Sequence, residues 1–475
     1  MPKLRRVLYS VQPRGQRISF RQIVSYEGYQ RPAKRDQADS RIDVAERQSA
    51  FVAGVRSLRS ARRTKSSEER DNVINVDKLR AEFREFAERV LAPTIDEEFI
   101  TETLNPHSIP ELAHAGYLAL CLPPKFGGRG MDYVALAVLC EELGRIDTAH
   151  QITVTVHLAL AGLSILQWGT SEQRAKWLPQ LADGRAIATF ALTEPNAGSD
   201  VGALSATARH DGEHYVLNGE KAWISLADVA DIFIVFASLD RALRHRGICA
   251  FVVERGTPGL STTTYHQKLG VRASNTGSVV MNELRIHRSA LLGREGEGFA
   301  IGLAALGNGL YTVGAGAVGT AQAAFDAARI RARESAGCAG GNEIPQSIIA
   351  LLAHMSSNVE TARALIYAAC ERKNRGEQNA QATSLAKWQA AEAAFATCDA
   401  ALQVFELTGV PPYPPVERFL SNVKGSVIYG GTREIHTTMQ AAYALGQRYE
   451  RPFRCPVPIA TDLANWTEPT LPEYE

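Results

Sequence analysis

The sequence predicts an α+β multidomain protein: a run of helices, a run of strands, then helices again. Three observations carry that prediction. From residue 77 apolar residues recur at helical spacing, near residue 191 the period shortens to two, and after about residue 295 it returns to the helical period. The division is an N-terminal helical unit over 77–190, a β unit over 191–290 and a C-terminal helical unit over 295–450. Segments 1–72 and 451–475 flank them.

Bulk properties narrow the partners before any motif is read. The chain has 475 residues, 45% hydrophobic and 22% charged, which gives core enough for two or three packed units. Lys plus Arg number 52 against 51 Asp plus Glu, so the net charge of +1 offers no footprint for nucleic acid or for a membrane surface. Charges, Gly and Pro interrupt the apolar stretches, and no membrane span of roughly 18 residues is expected. Seven scattered cysteines with no C-x-x-C pair argue against a disulfide framework and a zinc site. A reducing compartment follows, the cytoplasm or, alternatively, a mitochondrial matrix.

Taken in order, residues 1–72 are rich in Arg and poor in periodicity, and read as a disordered or targeting extension. The opening "MPKLRRVLYSVQPRGQRISFRQ" has no acidic residue, as in a mitochondrial presequence, though a plain flexible extension explains it equally well. Leu79, Phe83, Phe86, Val90 and Leu91 then mark a first helix, with Asp77 able to cap it and Pro93 beyond its end. "DYVALAVLCEELGRID" and "ALAGLSILQWGT" continue the helices, with "PPKFGGRGMD" and "TSEQRAKWLPQLADGR" as connections. In the β unit, Asn218-Gly219 inside "HYVLNGEKAWIS" reads as a tight hairpin turn, and "DIFIVFASL", "ICAFVVE" and "GSVVMNELRI" as strands. "GLYTVGAGAVGTAQAAFDAARI" opens the second helical unit, where its small residues suit close packing, and three more long helices are expected. The Pro-rich tail 451–475 reads as an arm or linker.

Two stretches carry chemistry on their own evidence. "FALTEPNAGSDVGAL" offers backbone N–H groups around Ala197, Gly198 and Ser199, with the hydroxyls of Thr193 and Ser199, where small side chains let a polar ligand approach. "KAWIS" adds the flat face of Trp223 and the Ser225 hydroxyl, two residues apart and so on one side of a strand. That pairing suits a planar, hydrogen-bonding cofactor. Farther on, "SVIYGGTREIH" sets Gly430 and Gly431 before Thr432, a good N-cap, so that the N–H groups opening the next helix favour an anionic or polar group.

With "LTEPNAGSD", "LNGEKAWIS", "KLGVRASNT", "GEGFA" and "IYGGTREI" in this order, residues 77–450 resemble the acyl-CoA dehydrogenase family of FAD enzymes. The resemblance implies an N-terminal α-helical domain, a middle β-barrel-like domain and a C-terminal four-helix bundle. It implies FAD as cofactor, with Phe190, Leu192, Thr193 and Ser199 near the flavin ring or the thioester and Trp223 and Ser225 flanking the isoalloxazine. It also places Gly431, Thr432 and Glu434 toward the nucleotide and Gln403 in a site shared with a neighbouring subunit.

The same resemblance exposes a gap. Removing an α-proton from a thioester needs a positioned base while the β-hydrogen leaves as hydride to flavin N5. The family's glutamate after the motif tyrosine is here Gly430, and the alternative glutamate position is Gly309. Gly307 and Leu310 stand where the family carries an Asp and an Arg that hold the CoA-bearing ligand. Ser335, Cys338 and Ala339 replace an Arg and Phe-Gly segment that reaches FAD, and Ser421-Asn422 replace Arg-Asp. Tyr311 and Tyr429 are expected near the flavin face but are poor bases at a phenol pKa near 10. Glu194, Asp228 and His436 read as turn, cap or packing residues, so the catalytic base is unassigned.

Three readings follow. The first is an FAD-dependent oxidoreductase that oxidises an acyl thioester, on CoA or a carrier protein, at Cα–Cβ and passes electrons to an electron-transfer flavoprotein or another acceptor. The second is a divergent flavoenzyme of elimination or oxygen-activation chemistry, and the third a non-catalytic subunit of a paralogue complex. By the resemblance the assembly is a homodimer or homotetramer.

Overall fold

The computed structural model describes residues 75–338, 343–409 and 415–469. The readings placed on 1–72, on Ala339 and on the end of the tail lie outside those residues. Helix α1 spans Val76–Phe86 and buries Leu79, Phe83 and Phe86, as the spacing predicts. Its cap is Asn75, which accepts from Lys78 N at 3.0 Å, and not Asp77, which lies in the first turn. Short helices α2 (Ile95–Thr101) and α3 (Ser108–His114) lead to α4 (Tyr133–Ile146), capped by Asp132. Next come α5 (Thr148–Val154), a π-helical stretch Thr155–Gly162 and α6 (Leu163–Trp168). The stretch read as a connection, "TSEQRAKWLPQLADGR", contains helix α7 (Ser171–Ala182), closed by a capping box between Thr170 and Gln173.

The sheet contains β1 (Ala188–Ala191), β2 (Thr207–Asp211), β3 (His214–Ser225), β4 (Ile232–Ser238), β5 (Ile248–Glu254), β6 (Leu260–Thr264), β7 (Thr276–His287) and β8 (Leu291–Leu292). Its order is β6-β7-β3-β2-β4-β5-β8, with β1 parallel to β4. β1 therefore begins inside the segment read as the end of the helical unit. Asn218-Gly219 is not a hairpin turn. β3 runs straight through it with a bulge against β7, and Asn218 exchanges hydrogen bonds with Glu283 at 2.8 and 2.7 Å. Gly219 is required there because a Cβ would meet Ala206 Cβ at 2.7 Å. The tight hairpin is one motif earlier, where Asp211 pairs with His214 around Gly212 at φ +59°.

Helix α8 (Gly298–Cys338) is the axis of the C-terminal helical domain and packs along α4, α9 (Gln346–Asn374) and α10 (Ala380–Thr408). Two shorter helices follow, α11 (Pro415–Ser426) and α12 (Arg433–Ala444), where a third long one was expected. The small residues of α8 are used inside the chain. A Cβ at Gly319 would lie 1.9 Å from the Glu141 carbonyl, and one at Gly144 would lie 2.3 Å from that of Gly316.

Two helical runs, Thr148–Trp168 and Gly298–Ala336, are long and apolar enough to span a bilayer, contrary to the sequence expectation. Their apolar windows are 94% and 83% buried, which makes them core helices of this fold. The tail also departs from expectation, because it is strapped to the N-terminal helices. Tyr133 Oη donates to Pro458 O at 2.6 Å, and Gln167 Nε2 to Cys455 O at 2.7 Å. Arg454 pairs with Glu297 at 2.5 Å, and a last helix, α13 (Ala460–Ala464), buries Leu463 completely.

Candidate flavin and thioester site

The loop after β1 and the end of β3 are held side by side. Ala222 N donates to Thr193 O at 2.9 Å, and Thr189 Oγ1 donates to Ser225 O at 2.6 Å. Phe190 and Leu192 are buried at the root of this wall, and Phe190 stacks on Phe236 with ring centroids 4.9 Å apart. Thr193 and Ser225 are half-buried, and Ser199 is exposed.

A second bulge, between Lys221 and Ile224, turns Trp223 out at φ +59°. Its indole is 65% exposed and touches Tyr265 edge to face at 5.2 Å. A bulky residue in the left-handed region is strained, and such strain persists only where the surroundings impose it. Trp223 is exposed and Ser225 half-buried, with Ile224 buried between them; the bulge, and not simple alternation, turns the indole outward.

Below the wall Lys221 and Glu194 form a buried ion pair at 2.7 Å. Glu194 also accepts from Ser205 N and Oγ, both at 2.6 Å, and from Ala206 N at 3.0 Å. Burial pushes the Glu194 carboxyl up, but the Lys221 ammonium and these donors outweigh it and hold the group below its usual range. Glu194 is thus the anchor of the loop carrying Thr193 and Ser199. Ala197 N donates to Glu194 O at 3.2 Å, so of the N–H groups singled out from sequence it is already engaged.

The second group of residues lies on α12. Thr432 caps this helix, accepting from Ile435 N at 3.3 Å, and Glu434 is exposed in its first turn. Gly430 and Gly431 take φ +66° and +92°. His436 is buried behind them, its Nδ1 2.9 Å from Ser384 Oγ and its Nε2 without a hydrogen-bond partner among the described residues. Loop 270–271 fixes this region to the sheet: Val271 N donates to Asn422 Oδ1 at 2.6 Å, and a Cβ at Gly270 would strike Ser421 O at 1.9 Å. Gln403 stands apart, exposed on the outer face of α10, its amide bonded to Asp399 at 2.9 Å.

The three domain models of one family cover these units in order. Residues 75–185 match "Acyl-CoA dehydrogenase, N-terminal domain", 189–284 the middle domain and 296–445 the C-terminal domain. The chain belongs to the acyl-CoA dehydrogenase family. An acyl-CoA dehydrogenase of Bacillus subtilis is 35% identical over 368 residues, covering 78% of this chain and 97% of the relative. Butyryl-CoA dehydrogenase of Megasphaera elsdenii superposes with a TM-score of 0.74 at 31% identity, covering 79% of this chain and 99% of that one. A glutaryl-CoA dehydrogenase of Mycobacterium smegmatis, solved in complex with FADH2, gives 0.72 at 28% identity, covering 83% and 98%. This acyl-CoA dehydrogenase relative is accordingly an FAD-dependent oxidoreductase of the CH–CH class.

The residues present fit that cofactor: an outward aromatic plane at Trp223, hydroxyls at Thr193 and Ser225 beside it, and a capped helix N-terminus at Thr432. The positions that the family resemblance assigns to the base and to the CoA contacts hold small or apolar residues. A Cβ at Gly309 would lie 2.9 Å from Leu160 Cδ2, so a leucine side chain fills the space beside that position. Gly307 opens onto empty space, and Leu310 is half-buried. Tyr311, expected near the flavin face, is instead completely buried with its ring 6.0 Å from Tyr133. Burial pushes its phenol well above the usual range, and that of Tyr429 likewise.

Sequence reasoning missed several buried titratable groups, Lys221, Lys387 and His157 among them. Lys221 is interrupted alternation in a strand, Lys387 is a lone cation in the small-residue run "SLAKWQAAEAAF", and His157 is a histidine in an apolar helix. The irregular pattern around each was the available signal.

Proposed function

We propose that this chain oxidises a saturated acyl thioester at Cα–Cβ. Trp223 carries the proposal, because an exposed indole held in a strained backbone beside Thr193 and Ser225 is explained by a planar ring laid against it. Phe190, Leu192, Thr193, Ser199, Trp223 and Ser225 hold the flavin ring end of the site. Gly431, Thr432 and Glu434 face the nucleotide, with Gln403 contributing from α10. When bound, FAD supplies the two-electron acceptor for the β-hydrogen.

Exposed Ile330, Ile349, Leu407 and Leu445 in the C-terminal helical unit support burial of apolar surface in a homodimer or homotetramer. All six described free cysteines are buried, which suits a reducing compartment such as the cytoplasm. Electron-transfer flavoprotein is the acceptor this reading favours.

The test is the visible spectrum of the purified protein and its anaerobic response to butyryl-CoA and to butyryl thioesters of a carrier protein. Bleaching of a bound flavin supports the proposal, and the thioester that bleaches faster identifies the carrier. A flavin that stays oxidised with both, or a protein that takes up no FAD, overturns it.

A further inference from the structure

Next to the loop of Thr193 and Ser199 lies a cavity of about 400 Å³, and none of the residues lining it is among those assigned to the flavin. It opens between two 3-10 turns, Val201–Ala203 directly after that loop and Arg241–Gly247 in the connection from β4 to β5. Gly202 and Ala203 form one side of it, and Arg241 and Arg244 the other. Both arginines are exposed. Arg244 lies 3.4 Å from the Asp200 carboxylate, with both side chains about two-thirds exposed, whereas Arg241 makes no ion pair among the described residues. The other acid of the turn, Asp240, is engaged as its cap and accepts from Ala242 N at 2.9 Å.

Two features mark the cavity as built to hold a ligand. Arg244 interrupts its turn at φ +49° and ψ −124°. A residue with a side chain is strained there, and such strain collects at ligand clamps. Ser238, which lines the cavity and is 3% exposed, has a hydroxyl with no hydrogen-bond partner among the described residues. A buried hydroxyl is normally paired, and its hydrogen rotates to suit an arriving acceptor.

Resting on the function proposed above, we infer that this cavity seats the phosphate of the pantetheine arm that carries the acyl thioester, with Arg241 and Arg244 pairing with it. A guanidinium presents its donors in a plane that matches two phosphate oxygens, and a charge-assisted pair of this kind is stronger than a neutral one. Arg244 has five N–H donors, so its contact with Asp200 leaves others free, and water screens the exposed Asp200 carboxylate. α8 offers the arm no charge at Gly307 or Leu310. Charge for the arm then comes from the β4–β5 connection of the sheet. The same phosphate occurs in coenzyme A and in the phosphopantetheine of a carrier protein.

The test compares butyryl-phosphopantetheine with butyryl-pantetheine, the same thioester without the phosphate, by the concentration that half-saturates anaerobic flavin bleaching. The wild type is expected to need about tenfold less of the phosphorylated arm. In Arg241→Gln/Arg244→Gln that preference should fall toward one. Ala203→Glu, which sets a carboxylate at the cavity without removing a donor, should have the same effect. Titration calorimetry with coenzyme A reads the site without flavin chemistry, and the double arginine variant should bind it about tenfold more weakly. Of butyryl-CoA and the butyryl carrier protein, the one whose half-saturating concentration rises in that variant is the source of the phosphate. A wild type that bleaches equally well with both arms, or a double variant that keeps the preference, overturns the phosphate site and leaves the proposed function intact. Coenzyme A binding that the double variant loses, without bleaching by any thioester, supports the site and overturns the function. A wild type that bleaches with no thioester and binds neither coenzyme A nor phosphopantetheine overturns both.

Discussion

The Lys221 ammonium and the Glu194 carboxylate meet at 2.7 Å with side chains 0% and 1% exposed, tying the strand of Trp223 to the loop of Thr193 and Ser199. Removing one member strands the other as a buried charge, which typically costs about 3–5 kcal/mol. Lys221→Met is therefore expected to lower the unfolding free energy by that order in urea titrations. The double variant Lys221→Met/Glu194→Gln should recover part of the loss. A loss in the double variant equal to the sum of the losses in Lys221→Met and Glu194→Gln alone would show that the pair is not coupled.

Buried histidines set an acid limit, His150 among them, its imidazole pKa lowered by burial. His157 accepts from Ala188 N at 3.2 Å and bonds Leu181 O at 3.1 Å, joining the helices to β1 as a neutral ring. Burial lowers its pKa from 6.5 to about 4, and that of His436 also to about 4. Between those values the unfolded chain binds the protons and the folded chain does not, so stability rises with pH across that window. Stability measured from pH 7 down to 4 should fall progressively, and His157→Gln should remove about one proton from the slope.

Lys387 predicts a second window, on the alkaline side. Its folded pKa of about 7 lies below the ordinary 10.5, so between these values only the unfolded chain holds the proton. The lysine's contribution therefore grows more favourable as pH rises from 7 toward 10.5. Lys387→Met should remove that slope and be relatively most stabilising at or below pH 7. An unchanged difference in melting temperature at pH 7 and pH 9.5 would show an unshifted amine.

The strap formed by the tail is structural. Leu463 is completely buried, and Leu463→Ala is expected to cost about 2–5 kcal/mol. Calorimetry reads this as a lowered melting temperature without change in the flavin spectrum. A silent substitution would mean that the tail detaches before the fold opens.

Trp223→Ala separates a ligand surface from a packing residue. With the indole 65% exposed, stability should move by no more than about 0.5 kcal/mol. FAD affinity should fall roughly two- to tenfold, the scale of an aromatic contact of about 0.5–1.5 kcal/mol. Titration of the apoprotein with FAD checks this, and unchanged affinity would remove Trp223 from the site.

The order of helices, strands and helices was written in local periodicity, because a buried stripe imposes period 3.6 on a helix and period 2 on a strand wherever the chain is. The glycines of the α12 entrance and the Thr432 cap were equally local, since a left-handed turn and an N-cap each depend on one or two residues. Other features depended on partners far along the chain. Asn218-Gly219 looks like a turn by itself, yet Glu283 and Ala206 make it the middle of a strand. The Pro-rich tail looks like a linker until Tyr133 and Gln167 supply donors for its carbonyls.

By itself, then, the sequence determined the three units and their order, and it set glycine at 430 and 309, where the family resemblance implies a glutamate. Only the tertiary structure decided what stands near the vacant position. Burial and neighbouring charge set whether Lys387, Lys221 or His157 is a surface charge or a tuned internal group, and both arise only when distant segments pack together.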